Sequence, residues 1–187
     1  MLDQKCTGDF EQEVLPHLDA AYNLARWLTH NQQDAEDVVQ EAYARAFRFF
    51  GAFRGGNARA WILRIVRNTC YNWLQENRRL QSSTEFDENS FGPDPRTLNP
   101  EQALLQNASD KMLRHALEAL PLKFREVLIL RELEGMSYKE IADTTGMPAG
   151  TVMSSLSRAR GRLRHILTAQ MSEVKLASPQ RIESVKS

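Results

Sequence analysis

The residues best equipped to act on another molecule fall into three groups, the first a row of hydroxyls and cations late in the chain. Ser154, Ser155, Ser157, Arg158 and Arg162 share the outward face of a helix predicted over 152–167, which also carries Arg160 and Arg164. A short helix beginning at Ser137 and a turn holding Gly146 precede it. Short helix, glycine turn and longer helix make the helix-turn-helix layout, whose second helix enters the DNA major groove. Hydroxyls and guanidinium groups can meet base edges there, while Arg and helix N-termini also take phosphates. Thr151 reads as the N-cap that would present such an N-terminus. Ile141, Ala142, Val152, Leu156, Ala159 and Leu163 read as the inward face.

The second group lies on a helix predicted from Ala58 to Arg79. Arg64, Arg67, Asn68, Tyr71, Gln75 and Arg78 form a stripe opposite the apolar positions Ile62, Ile65, Val66, Thr69 and Trp73. Cations that track phosphates, interleaved with planar groups that stack on bases, suit a single nucleic-acid strand. The loop before it, Phe53-Arg-Gly-Gly-Asn57, is short and polar enough to receive an extruded base. The third group is acidic. Asp34, Asp37 and Glu41 share a helix face by three-and-four spacing, with Gln40 beside them. An acidic stripe repels DNA, so it faces either solvent or a basic protein partner.

These groups need helices to position them, and the apolar pattern is helical almost throughout. Val14, Leu18, Ala21, Tyr22, Ala25 and Leu28 predict a helix over 9–30. Asp34 is read as the N-cap of the next, which runs to about Phe50, before Gly51, Gly55 and Gly56 break the chain. From Gln81 to Asn107 the periodicity fails among Ser82-Ser-Thr, Gly92-Pro-Asp-Pro95 and Asn99-Pro100. The fold class is therefore all-α: two small helical domains, 8–80 and 108–168, joined by a flexible acidic linker over 81–107 and followed by a polar, frayed tail over 169–187. If extended, the linker would reach on the order of 80 Å, enough to hold two DNA elements more than two helical turns apart.

Charge is segregated although it cancels overall. Residues 1–50 hold 4 basic and 9 acidic groups, 51–80 hold 6 and 1, 81–110 hold 1 and 6, and 111–167 hold 10 and 6. Two basic blocks separated by an acidic one imply two nucleic-acid-facing surfaces, while the formal net charge of +0 argues against indiscriminate coating of nucleic acid. Enzymatic chemistry finds no foothold. His17, His30, His115 and His165 are scattered, and no phosphate-binding glycine loop, paired-carboxylate setting or metal-ligand cluster stands out, so neither cofactor nor metal is expected. The two cysteines, Cys6 and Cys70, are far apart and form no Cys-x-x-Cys. With no apolar run of membrane-spanning length and no signal-peptide core, a cytoplasmic location is expected.

Four ordered motifs carry a resemblance. Asp34-Ala-Glu-Asp-Val-Val-Gln-Glu-Ala-Tyr-Ala-Arg-Ala-Phe47, Phe53-Arg-Gly with Ala60-Trp-Ile-Leu-Arg-Ile-Val-Arg-Asn-Thr69, the stretch from Leu120 to Leu128, and Gly150-Thr-Val-Met-Ser154 resemble bacterial RNA polymerase sigma factors over roughly residues 10–167. The type is the small two-domain extracytoplasmic function (ECF) group. The resemblance implies that Asp34, Asp37, Gln40 and Glu41 dock on core RNA polymerase. It implies that Arg54, Asn57, Arg64, Arg67, Asn68, Tyr71, Arg78 and Arg79 recognise and melt the −10 element, with Asn57 lining the base pocket. Thr151, Met153, Ser154, Ser155, Ser157, Arg158 and Arg162 would read the −35 element. The linker would occupy the polymerase's nucleic-acid channels, and an anti-sigma protein would hold the factor inactive until a signal arrives. Met153 and Ser155 depart from the family, which often has basic residues there. Two rival readings remain beside an enzyme: a sigma-like decoy that sequesters an anti-sigma protein, and a plain helix-turn-helix regulator. The decoy need not keep both basic helices, and the regulator leaves the acidic helix and linker unexplained.

Overall fold

The structure, a computed structural model, describes residues 4–81 and 110–177, and every regular element among them is helical. The linker expectation over 81–107 falls almost wholly outside the described residues, as does the tail beyond Ala177.

The first half is built from α1 (Gln4–Glu13), α2 (Leu18–Thr29), α3 (Gln32–Phe49) and α4 (Ala58–Gln81). The single helix expected over 9–30 is in fact two. Pro16 lacks an N–H and sits in a one-turn 3-10 segment, Leu15–His17, that ends α1 and restarts the chain as α2. The cap of α3 also moves: Asn31, not Asp34, accepts the N–H groups of Gln33 and Asp34 at 2.8 and 3.2 Å. Asp34 lies within the first turn, where its charge meets the positive end of the helix. Leu24, Leu28, Ile62, Leu63 and Val66 are fully buried where α2, α3 and α4 meet. Each such side chain contributes roughly 1.5–3 kcal/mol relative to its exposed state.

The second half starts with α5 (110–118), and α6 (Leu122–Leu128) follows Pro121. The last turns of α6 widen to a π-helix, Ile129–Leu133, before Gly135 reverses the chain at φ +64°. α7 (Tyr138–Thr145) opens with a reciprocal cap, Ser137 and Glu140 each bonding the other's backbone N–H. Gly146, at φ +75°, closes it and leads to α8 (Ala149–Ala177). The inward residues of the sequence pattern hold: Ile141, Val152, Leu156 and Ala159 are buried, and Ala142 and Leu163 half-buried. The frayed tail expected after 168 is a correction, because α8 continues through Ala177. The two halves share one continuous apolar cluster, with α4 against α7 and α2 against α6.

Candidate nucleic-acid interface

α8 follows α7 across a glycine turn and projects most of its candidate reading residues outward. Thr151, Met153, Ser154, Ser157, Arg158 and Arg162 are exposed. Ser155 is not: it is only 9% exposed and sits on the packed side with Leu156. The outward placement of Ser155 is thus corrected, because position 155 follows Val152 by three and precedes Ala159 by four, on the buried stripe. Thr151 is corrected too. The helix begins at Ala149, and Pro148 accepts the N–H of Thr151 at 2.8 Å, so Thr151 lies inside the first turn rather than capping it. Two cations are held from behind. Arg162 stacks over Phe124 at 5.0 Å, and Arg160 forms an ion pair with Glu132 at 2.7 Å.

α4 presents its polar stripe as the spacing predicted, but part of it is occupied. Arg54, Arg64, Asn68, Arg78 and Arg79 are exposed. Asn57 caps α4 by accepting the N–H of Ala60 at 2.9 Å, and its amide donates to Glu140 at 2.6 Å. Arg67 donates from Nε to Glu126 and lies over the Tyr71 ring at 4.3 Å. Tyr71 donates its hydroxyl to the other Glu126 oxygen at 2.9 Å. Arg59 pairs with Glu134 at 2.7 Å, and the Thr144 hydroxyl reaches the Ala60 carbonyl at 3.4 Å. Three carboxylates of the second half therefore meet Asn57, Arg59, Arg67 and Tyr71 along one side of α4. Glu126 is fully buried, and burial pushes its carboxyl up, opposed by the Arg67 charge and two hydrogen bonds. Burial also raises the Tyr71 hydroxyl, with the Glu126 charge adding to it.

A second seam lies at the end of α2. Arg125 donates to the carbonyls of Leu117, Glu118 and Leu120 at 2.9, 2.6 and 3.1 Å, closing the C-terminal end of α5. Its remaining nitrogen reaches the Trp27 carbonyl at 3.3 Å and the Nε2 of His30. An Arg can only donate, so that His30 nitrogen accepts, and the ring is neutral. Burial, with the Arg125 charge second, lowers the His30 pKa to about 4. Desolvation lowers that of Arg125 to about 10.

The sequence reading missed Arg59, Arg125, Glu126, Glu134 and His30. One signal was available: Arg125-Glu126 interrupts the apolar run Phe124–Leu130, and charges inside such a run must be paired when buried. On α3, Asp37, Gln40 and Glu41 are exposed and Asp34 is half-buried. Burial, with Asp37 second, raises the Asp34 carboxyl. Glu41 pairs with Arg45 at 2.7 Å. Cys70 is buried and its thiol is pushed up to about 12, mainly by desolvation, which makes it a poor nucleophile. No group of three metal-ligating side chains and no helix long and apolar enough to cross a membrane occurs among the described residues.

These features define a class: an all-α protein of two helical halves, the first with a basic and aromatic helix, the second with a helix-turn-helix. The sigma-70 region 2 family matches residues 14–80, and the sigma-70 region 4 family matches 110–163. The ECF RNA polymerase sigma factor SigE of Mycolicibacterium smegmatis is 35% identical over 173 residues, covering 91% of this chain and 66% of that protein. The RNA polymerase sigma-H factor of Pseudomonas aeruginosa is 33% identical over 171 residues, covering 88% and 89%. The ECF sigma-E factor of Escherichia coli is 40% identical over 134 residues, covering 68% and 70%. Among solved structures, the sigma factor RpoE in complex with the anti-sigma factor NepR from Bartonella quintana superposes with a TM-score of 0.71 at 30% identity, covering 86% of this chain and 97% of that one. CnrH in complex with the cytosolic domain of CnrY gives 0.59 at 28% identity, covering 86% and 88%. The chain belongs to the sigma-70 family of RNA polymerase sigma factors, in its ECF group.

Proposed function

We propose that this chain is a promoter-specificity subunit that acts in the cytoplasm with core RNA polymerase and makes or breaks no covalent bond itself. The exposed acidic face of α3, Asp37, Gln40 and Glu41 with Asp34 at its edge, docks on the polymerase. The α4 stripe, from Arg54 and Asn57 through Arg64, Arg67, Asn68 and Tyr71 to Arg78 and Arg79, holds the melted −10 strand. In α8, Met153, Ser154, Ser157, Arg158 and Arg162, with Thr151 in the first turn, take the double-stranded −35 element. Ser155 supports that surface from behind. An anti-sigma protein controls the factor, a reading supported by the likeness to the sigma factor RpoE solved with the anti-sigma factor NepR.

The observation that carries this reading is the order and exposure of the three faces: acidic α3, basic α4 and the helix-turn-helix, each on the element that the family matches cover. The test is transcription from a promoter library with purified core polymerase and this protein. Discrete transcripts absent with core alone are expected, and a lack of any promoter-specific product would overturn the reading.

A further inference from the structure

Recognition helices present their N-terminal residues to base edges. At that end α8 is uncharged: Ala149–Ser157 holds no Asp, Glu, Lys, Arg or His, and Arg158 is the first cation. Arg or Lys paired with guanine makes the commonest specific major-groove contact, so the tip of this helix lacks the usual guanine reader. Arg160 and Arg162 do not supply it, because they lie further along and are held toward Glu132 and Phe124. Ser154 is engaged as well: its hydroxyl donates to the Thr151 carbonyl at 3.0 Å, which leaves it lone pairs to offer and no proton. The large side chain that projects from this end is Met153, 54% exposed. Its neighbours on the helix face, Gly150, Ser154 and Ser157, are small and exposed. A Cβ added at Gly150 would meet no atom within 4 Å. A long apolar side chain thus stands clear of its surroundings where the helix would reach deepest into a groove.

We propose that Met153 is a specificity-determining residue that packs on the 5-methyl group of one thymine of the −35 element. The inference rests on the proposed docking of α8 on that element. The thymine methyl is the one apolar group that a base presents at the major-groove edge. A thioether chain with three rotatable bonds and a polarisable sulfur adapts to such a group and needs no hydrogen-bond donor to do so. Guanine presents two acceptors there, and a thioether has no proton to give them. Cytosine presents an amino donor and no methyl. Met153 would therefore dehydrate either edge without pairing it, which disfavours a G·C pair at that position. Ser154, with its proton engaged, suits the amino group of an adenine or cytosine beside it.

The test begins with the −35 sequence that holoenzyme, reconstituted from core polymerase and the full chain, selects from duplexes with random bases. In the selected duplex each thymine in turn is replaced by deoxyuridine, which removes the methyl and alters no hydrogen-bonding group. Fluorescence anisotropy with the same holoenzyme reads affinity. One replacement should weaken binding by roughly fourfold, the effect of exposing one buried methyl. Met153→Ala should abolish that difference and lower affinity for the thymine duplex. Met153→Arg should turn the selected pair at that one position from A·T to G·C. Met153 is exposed, and circular dichroism checks that each variant keeps its helices. Deoxyuridine tolerated at every position would overturn the proposal, as would a loss of equal size in the parent and in Met153→Ala. A Met153→Arg selection identical to the parent's would overturn it too. Failure of the promoter reading looks different: the selection then enriches no sequence. Failure of the methyl contact alone leaves an enriched sequence, bound equally well with and without its methyl groups.

Discussion

His30 shows how much one residue can depend on its surroundings. It ends α2 in the left-handed region at φ +64°, its Nε2 accepts from Arg125, and its Nδ1 lies 3.7 Å from Glu118. Arg125 from α6 and Glu118 from α5 are the charged groups that face it, one opposing and one favouring protonation. The folded pKa of about 4 lies below the usual 6.5. The neutral ring is therefore bound more tightly by the folded state. Its stabilising contribution is complete above pH 6.5 and is lost as pH falls toward 4. His30→Asn isolates this effect, because Asn tolerates the backbone angle and does not titrate. Urea unfolding at several pH values should show the stability advantage of the parent shrinking by about 1 kcal/mol between neutral and acid pH, a figure discounted because the ring is partly solvated. A difference independent of pH would mean that the ring is not held neutral by burial and the Arg125 charge.

At the scale of elements, the helices themselves were legible because each buries an apolar stripe at helical spacing, and Ile62 and Val66 of α4 and Val152, Leu156 and Ala159 of α8 are buried as predicted. Their ends were less so. Pro16 divided one predicted helix into α1 and α2, a local steric effect that the apolar spacing spans without interruption. Asn31 took the cap from Asp34 because both are good acceptors and only the backbone angle decides which stands outside the helix. In α8 the same uncertainty of a residue or two moved Thr151 inside the helix, while the stripe of Val152, Leu156 and Ala159 fixed Ser155 on the packed side. That correction divides the candidate reading surface into residues that can touch DNA and one that cannot. Arg158→Ala should weaken binding to a duplex bearing the selected −35 sequence by about 1–3 kcal/mol if its guanidinium meets a base edge. A fluorescence-anisotropy titration checks this, and unchanged affinity would leave Arg158 as a solvated cation. Ser155→Ala should leave the salt dependence of that binding unchanged, since the hydroxyl is not at the surface.

At the scale of the molecule, sequence spacing had little to say, because it reports which residues share a face and not what covers that face. Arg67 and Tyr71 read as open to a strand, yet the partner that covers them, Glu126, is 59 and 55 residues away. Only the interruption of the Phe124–Leu130 run by charge hinted at a buried pairing. The acidic face of α3 differs in this respect: Asp37, Gln40 and Glu41 stay exposed while α4 packs against the second half. The face proposed to dock on polymerase and the contact between the two halves thus lie on different surfaces. Asp37→Lys with Glu41→Lys should weaken binding to core polymerase, measured by displacement of a labelled parent factor. The cost to folding should be a few tenths of a kcal/mol, from Lys at 41 facing Arg45 one turn on. Energy transfer between fluorophores on exposed Gln33→Cys and Ser172→Cys, in a Cys6→Ser background, should be unchanged in the same variant. Undiminished polymerase affinity would remove α3 as the docking surface, whereas lost energy transfer would show that the two surfaces are coupled through α2 and α4.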